Sequence, residues 1–100
     1  MNTYTDFLME LESTIRQRKQ DKPENSYTAK LFADGLDKIL QKVGEESIEF
    51  IIDAKNAKEN GTSRATSEGA DLLYHFLVSL SAIGLSLEDI IAELKKRHQK

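Results

Sequence analysis

Apolar residues recur at three- and four-residue intervals along nearly the whole chain, and the period-two alternation that strands require is virtually absent. This pattern predicts an all-α protein, a bundle of about four to five helices. A first helix is expected from about Thr3 to Lys19, with Phe7, Leu8, Leu11 and Ile15 as its apolar stripe. Gln20 to Ser26, which holds the single proline, Pro23, and Asn25, reads as a loop. The next helical stretch begins at Tyr27 or Thr28 and runs through Leu31, Phe32, Leu36, Ile39, Leu40 and Val43 to Ile48, Phe50, Ile51, Ile52 and Ala54. Gly35 should divide it into a short and a long helix, since glycine costs roughly 1 kcal/mol against alanine inside a helix. Asn60-Gly61 should end it. A further helix opens near Thr62 or Ser63 and carries Leu72, Leu73, Phe76, Leu77, Leu80 and Ile83 to a stop at Gly84. Ser86, with Asp89 three residues on, resembles a capping box that opens a last helix with Leu87, Ile90, Ile91 and Leu94 facing inward. Lys95, Lys96, Arg97 and Lys100 crowd its end, where cations complement the helix dipole in solvent.

The long helix is apolar on more than one face: Ile48, Ile51 and Ile52 lie around the turn from Phe50. A small monomer has difficulty burying all of them. Pairing of helices between two copies is the natural remedy, so a two-fold homodimer is expected to complete the bundle.

One hundred residues fit a single domain, 1–100, with one core. The lack of cysteine excludes disulfide frameworks, thiolate zinc sites and cysteine nucleophiles. The stretch from Met1 to Met9 is polar, and His75, Ser79 and Ser81 interrupt the longest apolar run, so no secretory or membrane segment is expected and a cytoplasmic location follows. A net charge of -3 argues against non-specific nucleic-acid binding through a basic face. It leaves a nucleotide substrate open, because bound cations invert the local field.

The informative chemistry is acidic. Glu45, Glu46 and Glu49 fall within about one helical turn, and Glu68 and Asp71 repeat carboxylates at helical spacing on the following long helix. Residues three and four apart share a helix face, so these like charges repel. Lys42 reaches toward Glu46 only in the weaker Lys-before-Glu order. The bland reading is a solvated acidic face. The sharper one is a cage for a hard divalent cation, Mg²⁺ or Mn²⁺. Such an ion grips phosphate oxygens, lowers the pKa of bound water and steadies a pyrophosphate leaving group, which are the needs of phosphoanhydride hydrolysis. One of the surplus carboxylates would serve as base.

Glu45-Glu46-x-x-Glu49, a spacer of eighteen residues, then Glu68-x-x-Asp71 resembles the signature of the all-α nucleotide pyrophosphohydrolases, the MazG-like superfamily. The flanks narrow the likeness. The segments SYTAKLFADGLDKILQKVGEESIEF from Ser26, DLLYHFLVSL from Asp71 and GLSLEDIIAELKKRH from Gly84 are similar to the phosphoribosyl-ATP pyrophosphohydrolase family of histidine biosynthesis. The resemblance implies a homodimeric helical bundle and Mg²⁺-dependent hydrolysis of phosphoribosyl-ATP to phosphoribosyl-AMP and pyrophosphate. It also implies that Glu45, Glu46, Glu49, Glu68 and Asp71 are the metal ligands and water activators. Ser47 and Gly69 depart from the alanines usual at those positions, which bears on helix stability rather than on the carboxylates. Within the same fold, a house-cleaning nucleoside triphosphate pyrophosphohydrolase is the nearest alternative. In another class stands a non-catalytic helical interaction module.

Further residues carry two readings each. Ser26, Tyr27 and Thr28 resemble the family's Ser-Tyr-Thr segment, where hydroxyls contact phosphate and the ring stacks on adenine; the alternative is helix capping with Tyr27 packed as a staple. Lys30, Lys42 and Arg64 are candidate phosphate contacts or ordinary surface cations, Arg64 standing one turn before Glu68. Asp53 extends the acidic column or is a surface acid. Gly44 relieves helix crowding or admits a substrate to the backbone. His75, one turn after Asp71, is expected to bond a neighbouring carboxylate rather than a metal. Neither acidic helix offers the Glu-x-x-His pair of a di-iron bundle.

Overall fold

The computed structural model describes residues 2–99, which form six helices and no strand. Met1 and Lys100 lie outside the described residues, and with Lys100 goes one member of the expected basic cluster. The helices are α1 (Thr3–Asp21), α2 (Tyr27–Asp34), α3 (Leu36–Lys55), α4 (Ala57–Asn60), α5 (Ser63–Ala82) and α6 (Leu87–Arg97).

Most boundaries follow local chemistry. Asn2 caps α1 by accepting the Tyr4 N–H at 3.0 Å. The helix runs two residues past its expected end, to Asp21, because Lys22 takes the left-handed conformation (φ 51) and donates its N–H to the Arg18 carbonyl before Pro23 forbids continuation. Ser26 Oγ accepts the Ala29 N–H at 3.1 Å and opens α2. Gly35, at φ 102 and ψ 171, ends α2 and starts α3 in a conformation that a side chain would strain. The long helix stops earlier than Asn60-Gly61: it closes at Lys55, and after Asn56 a separate single turn, α4, reaches Gly61. Ser86 and Asp89 form the reciprocal capping box at the start of α6.

The core is a single cluster of Ile15, Leu31, Ile39, Leu77, Val78, Leu80 and Leu87. It draws on the start of α3 and the last part of α5, so it sits at one end of the molecule. Beyond it α3 and α5 continue side by side. Phe50 packs on Gly69 while Glu46 meets Glu68 and Asp71, so later residues of α3 face earlier residues of α5 and the pair is antiparallel. The radius of gyration, 15.1 Å, exceeds the ~13 Å of a compact chain of this length, as expected when two helices project from a core. Ile48 and Ile51 on the projecting part of α3 are 61% and 62% exposed. Phe7, expected in the stripe of α1, is also exposed, as are Ile91 and Leu94 of α6, because only Leu87 and Ile90 on that helix reach the core.

A buried carboxylate fastens the last helix. Glu12 is enclosed, accepts the Leu87 N–H at 2.5 Å and pairs with Arg16 at 3.0 Å, tying α1 to the positive end of α6. Its position on the Leu8–Leu11–Ile15 stripe is a sequence signal: an acid among core residues needs a partner. We expect Glu12→Ala to lower stability by about 1–3 kcal/mol in urea unfolding, since a helix-start N–H and Arg16 both lose their acceptor. Glu12→Gln, which keeps an acceptor oxygen, should cost less. An alanine variant within about 0.5 kcal/mol of the parent would contradict this role.

Candidate metal centre

Adjacent residues on a helix point about 100° apart, so Glu45 and Glu46 cannot both face the neighbouring helix. Glu46 and Glu49, three apart, share the side toward α5. There the antiparallel register brings one carboxylate oxygen from each of Glu46, Glu68 and Asp71 within 4.8 Å of one another. Glu46 and Glu68 are half-buried and Asp71 is exposed, so the group opens to solvent on one side.

Among the described residues no lysine or arginine pairs with Glu46, Glu68 or Asp71. Glu68 Oε2 is buried without a hydrogen-bond partner, an acceptor left among other acceptors. The Glu46 carboxylate, then that of Glu49, approaches closely enough to share a proton with Glu68, and with burial and like charge this pushes the Glu68 pKa up to about 7. An orphaned oxygen in a set of hard oxygen donors fits a divalent cation such as Mg²⁺ or Mn²⁺.

Glu45 turns the other way. Its Oε2 accepts from Gln41 Nε2 at 3.0 Å and its Oε1 lies 3.8 Å from Lys42 Nζ. The Gln41 bond, with Lys42 and Lys38 nearby, lowers the Glu45 pKa. Lys42 therefore serves Glu45 and not Glu46, whose carboxylate faces α5. Asp53 is half-buried and outside the three-residue group.

His75 does not take a carboxylate as its hydrogen-bond partner. The buried ring sets Nδ1 2.9 Å from the main-chain oxygen of Asp71 and Nε2 2.7 Å from the Tyr27 hydroxyl, with Glu46 Oε1 farther off at 3.8 Å from Nδ1. One residue along on each helix, the buried Thr28 hydroxyl bonds the Tyr74 hydroxyl. Burial, then the neighbouring Tyr27, raises the Tyr74 pKa. These two ties bind the start of α2 to α5 just past Asp71. Neither tie is legible in periodicity, since the partners stand 46 and 48 residues apart.

The remaining candidates are dispersed. Ser26 caps α2, while the ring of Tyr27 is half exposed. Lys30 pairs with Asp34 at 3.0 Å and borders a cavity of about 650 Å³, lined also by Lys19, Phe32, Leu36 and Ile39, that contains none of the clustered acids. Arg64 is exposed and takes part in no ion pair among the described residues. Nothing lies within 4 Å of a side-chain carbon built at Gly44, so crowding within this chain does not explain that glycine. At Gly69 such a carbon would meet Phe50 at 3.5 Å, an ordinary contact that alanine could make. Ser47 donates to the Val43 carbonyl at 2.7 Å.

Comparison with known proteins bears on this arrangement. The model of the phosphoribosyl-ATP pyrophosphohydrolase family matches residues 8–98, which include the core, both acidic helices and the Tyr27–His75 tie. The chain is 50% identical over 93 residues to a phosphoribosyl-ATP pyrophosphatase of Leptospira biflexa, covering 93% of this chain and 98% of that protein. It is 45% identical over 92 residues to one of Pyrobaculum islandicum, covering 92% and 95%. A third relative, the histidine biosynthesis bifunctional protein HisIE of Escherichia coli, is 47% identical over 93 residues, 93% of this chain and 44% of the longer protein. With acids from two antiparallel helices converging inside the matched region, this chain belongs to the phosphoribosyl-ATP pyrophosphohydrolase family.

Proposed function

We propose that the chain hydrolyses phosphoribosyl-ATP to phosphoribosyl-AMP and pyrophosphate, the second step of histidine biosynthesis, using Mg²⁺ or Mn²⁺ at the acidic group. The observation that carries this reading is the convergence of Glu46, Glu68 and Asp71, with the orphaned Glu68 oxygen among them, in a chain of this family. A divalent ion held there supplies charge neutralisation for phosphate oxygens and a lowered pKa for water.

The chain's own residues supply the rest. Glu46, Glu68 and Asp71 hold the cation. Glu49, which crowds Glu68 from outside the three-residue group, takes the proton of the attacking water. Glu45, engaged by Gln41 and Lys42, carries the electrostatics of the outer rim. The half-exposed Tyr27 ring offers a stacking surface for adenine, Ser26 and Thr28 fix the helix start beneath it, and Lys42 and Arg64 are the phosphate contacts. Lys30, paired with Asp34, acts at the periphery of the nucleotide.

A second copy completes the bundle. Leu40, Ile48, Ile51 and Ile52 leave α3 with an apolar stripe that this chain does not cover, and burial of such a stripe is worth about 25 cal/mol per Å². Sedimentation at micromolar concentration should give twice the chain mass; a fully active monomer would remove the dimer from the account.

Glu49→Gln and Asp71→Asn should keep the helical circular dichroism of the parent while pyrophosphate release from phosphoribosyl-ATP falls by about 100-fold or more, because the amides keep shape and lose charge. Near-parental turnover in both variants would defeat the assignment.

A further inference from the structure

Tyr27 and His75, neither of them part of the apolar core cluster, form a polar contact between α2 and α5. His75 is 6% exposed and its ring is fixed from both sides. A main-chain oxygen can only accept, so the 2.9 Å contact to the Asp71 carbonyl requires the hydrogen on Nδ1. In the neutral ring Nε2 is then an acceptor, and the Tyr27 hydroxyl 2.7 Å away donates to it. The rings of Tyr27 and Tyr74 stand edge-on to the imidazole, with centroids 5.8 Å and 5.6 Å away and interplanar angles of 78° and 84°, so the imidazole has little freedom to turn.

The consequence is a fixed distance between two parts of the site. His75 reads the backbone of the same helical turn that presents Asp71, and passes that position to the ring of Tyr27 on another helix. Tyr27 is the first residue of α2, its ring is half exposed, and its hydroxyl bond to His75 ties that ring to α5. Resting on the pyrophosphohydrolase reading above, we propose that His75, bonded through Nδ1 to the Asp71 carbonyl and through Nε2 to the Tyr27 hydroxyl, is a positioning residue: it holds the Tyr27 ring at a set distance from the metal-binding acids and thereby sets affinity for the nucleotide. A role of this kind acts on substrate binding and leaves the metal ligands in place.

The test compares Tyr27→Phe, His75→Asn and the double variant. The phenylalanine keeps the ring and drops the hydroxyl; the asparagine keeps a donor near Nδ1 and drops the acceptor at Nε2. Each should raise KM for phosphoribosyl-ATP about three- to tenfold, the loss of one hydrogen bond, with kcat little changed. The double variant should be no worse than either single one, because both remove the same bond. Mn²⁺ affinity, measured by titration without nucleotide, should stay within about twofold of the parent. An unchanged KM, additive effects, or a fall in Mn²⁺ affinity matching the rise in KM would each overturn the proposal. Nitrogen-15 spectra of the imidazole supply a readout independent of turnover and of whether His75→Asn folds: hydrogen on Nδ1 supports the proposal, and an Nδ1 without hydrogen in the parent overturns it. Should the parent release no pyrophosphate at all, the functional reading fails, while the spectra still report on the tautomer.

Discussion

Carboxylates repel across the contact between α3 and α5, and the architecture is arranged so that this repulsion survives folding. Half-buried Glu46 and Glu68 and exposed Glu49 form a strip where one Glu68 oxygen has no hydrogen-bond donor and the crowding of like charges pushes the Glu68 pKa up. Local rules of charge pairing are broken there, which natural proteins do chiefly at functional sites. The strip persists because the apolar cluster around Leu77 and Val78 holds the two helices together at the other end. Distance between the core and the acids lets one part supply stability and the other supply unmet charge.

The devices that hold the core end are themselves polar. Glu12 crosses from α1 to satisfy the start of α6, and Lys19 donates to the Ser81 carbonyl at 2.9 Å while its ammonium sits 5.8 Å from the Phe32 ring centroid. Gly35 lets α2 turn into α3 without a connecting loop, which sets the direction in which the acidic helix leaves the core. The Tyr27–His75 and Thr28–Tyr74 bonds then lash the start of α2 to α5 near Asp71. Position is thus transmitted from the core to the acids by named bonds rather than by packing alone.

Much of this is legible in the sequence, for physical reasons that differ by feature. Helical periodicity and the caps at Ser26, Gly35 and Ser86 are local, so the class and most boundaries follow from neighbours in sequence. The acids stand out because i, i+3 spacing is itself a statement about a helix face. Which of them converge depends on the register of α3 against α5: Glu45 points to Gln41 and Lys42 and not toward Glu68, and the motif alone does not reveal it. The break at Asn56 and the exposure of Phe7, Ile91 and Leu94 escape a periodicity argument because an apolar face does not say what will cover it. His75 escapes too, since a tyrosine hydroxyl and a main-chain oxygen outcompete the carboxylate one turn away.

The claim that the acids of α3 and α5 form a cation site is tested most directly by thermal melts of the protein against pH, with and without metal. In the folded metal-free chain Glu68 keeps its proton up to about 7, against an ordinary value of 4.5, so between these the folded state binds more protons than the unfolded one. The stability supplied by the protonated form is full below the unfolded value and is lost as the pH rises through the folded one. A divalent cation bound at these acids would take the place of that proton and add roughly 2.7 kcal/mol at about a hundred times its Kd. The melting temperature without metal should therefore fall from about pH 5 to about pH 8, and Mn²⁺ should raise it most at the alkaline end, flattening the profile. Glu68→Gln should be flat without metal and respond little to it. A parent protein whose melting temperature does not fall over this range and does not respond to Mn²⁺ would contradict the account.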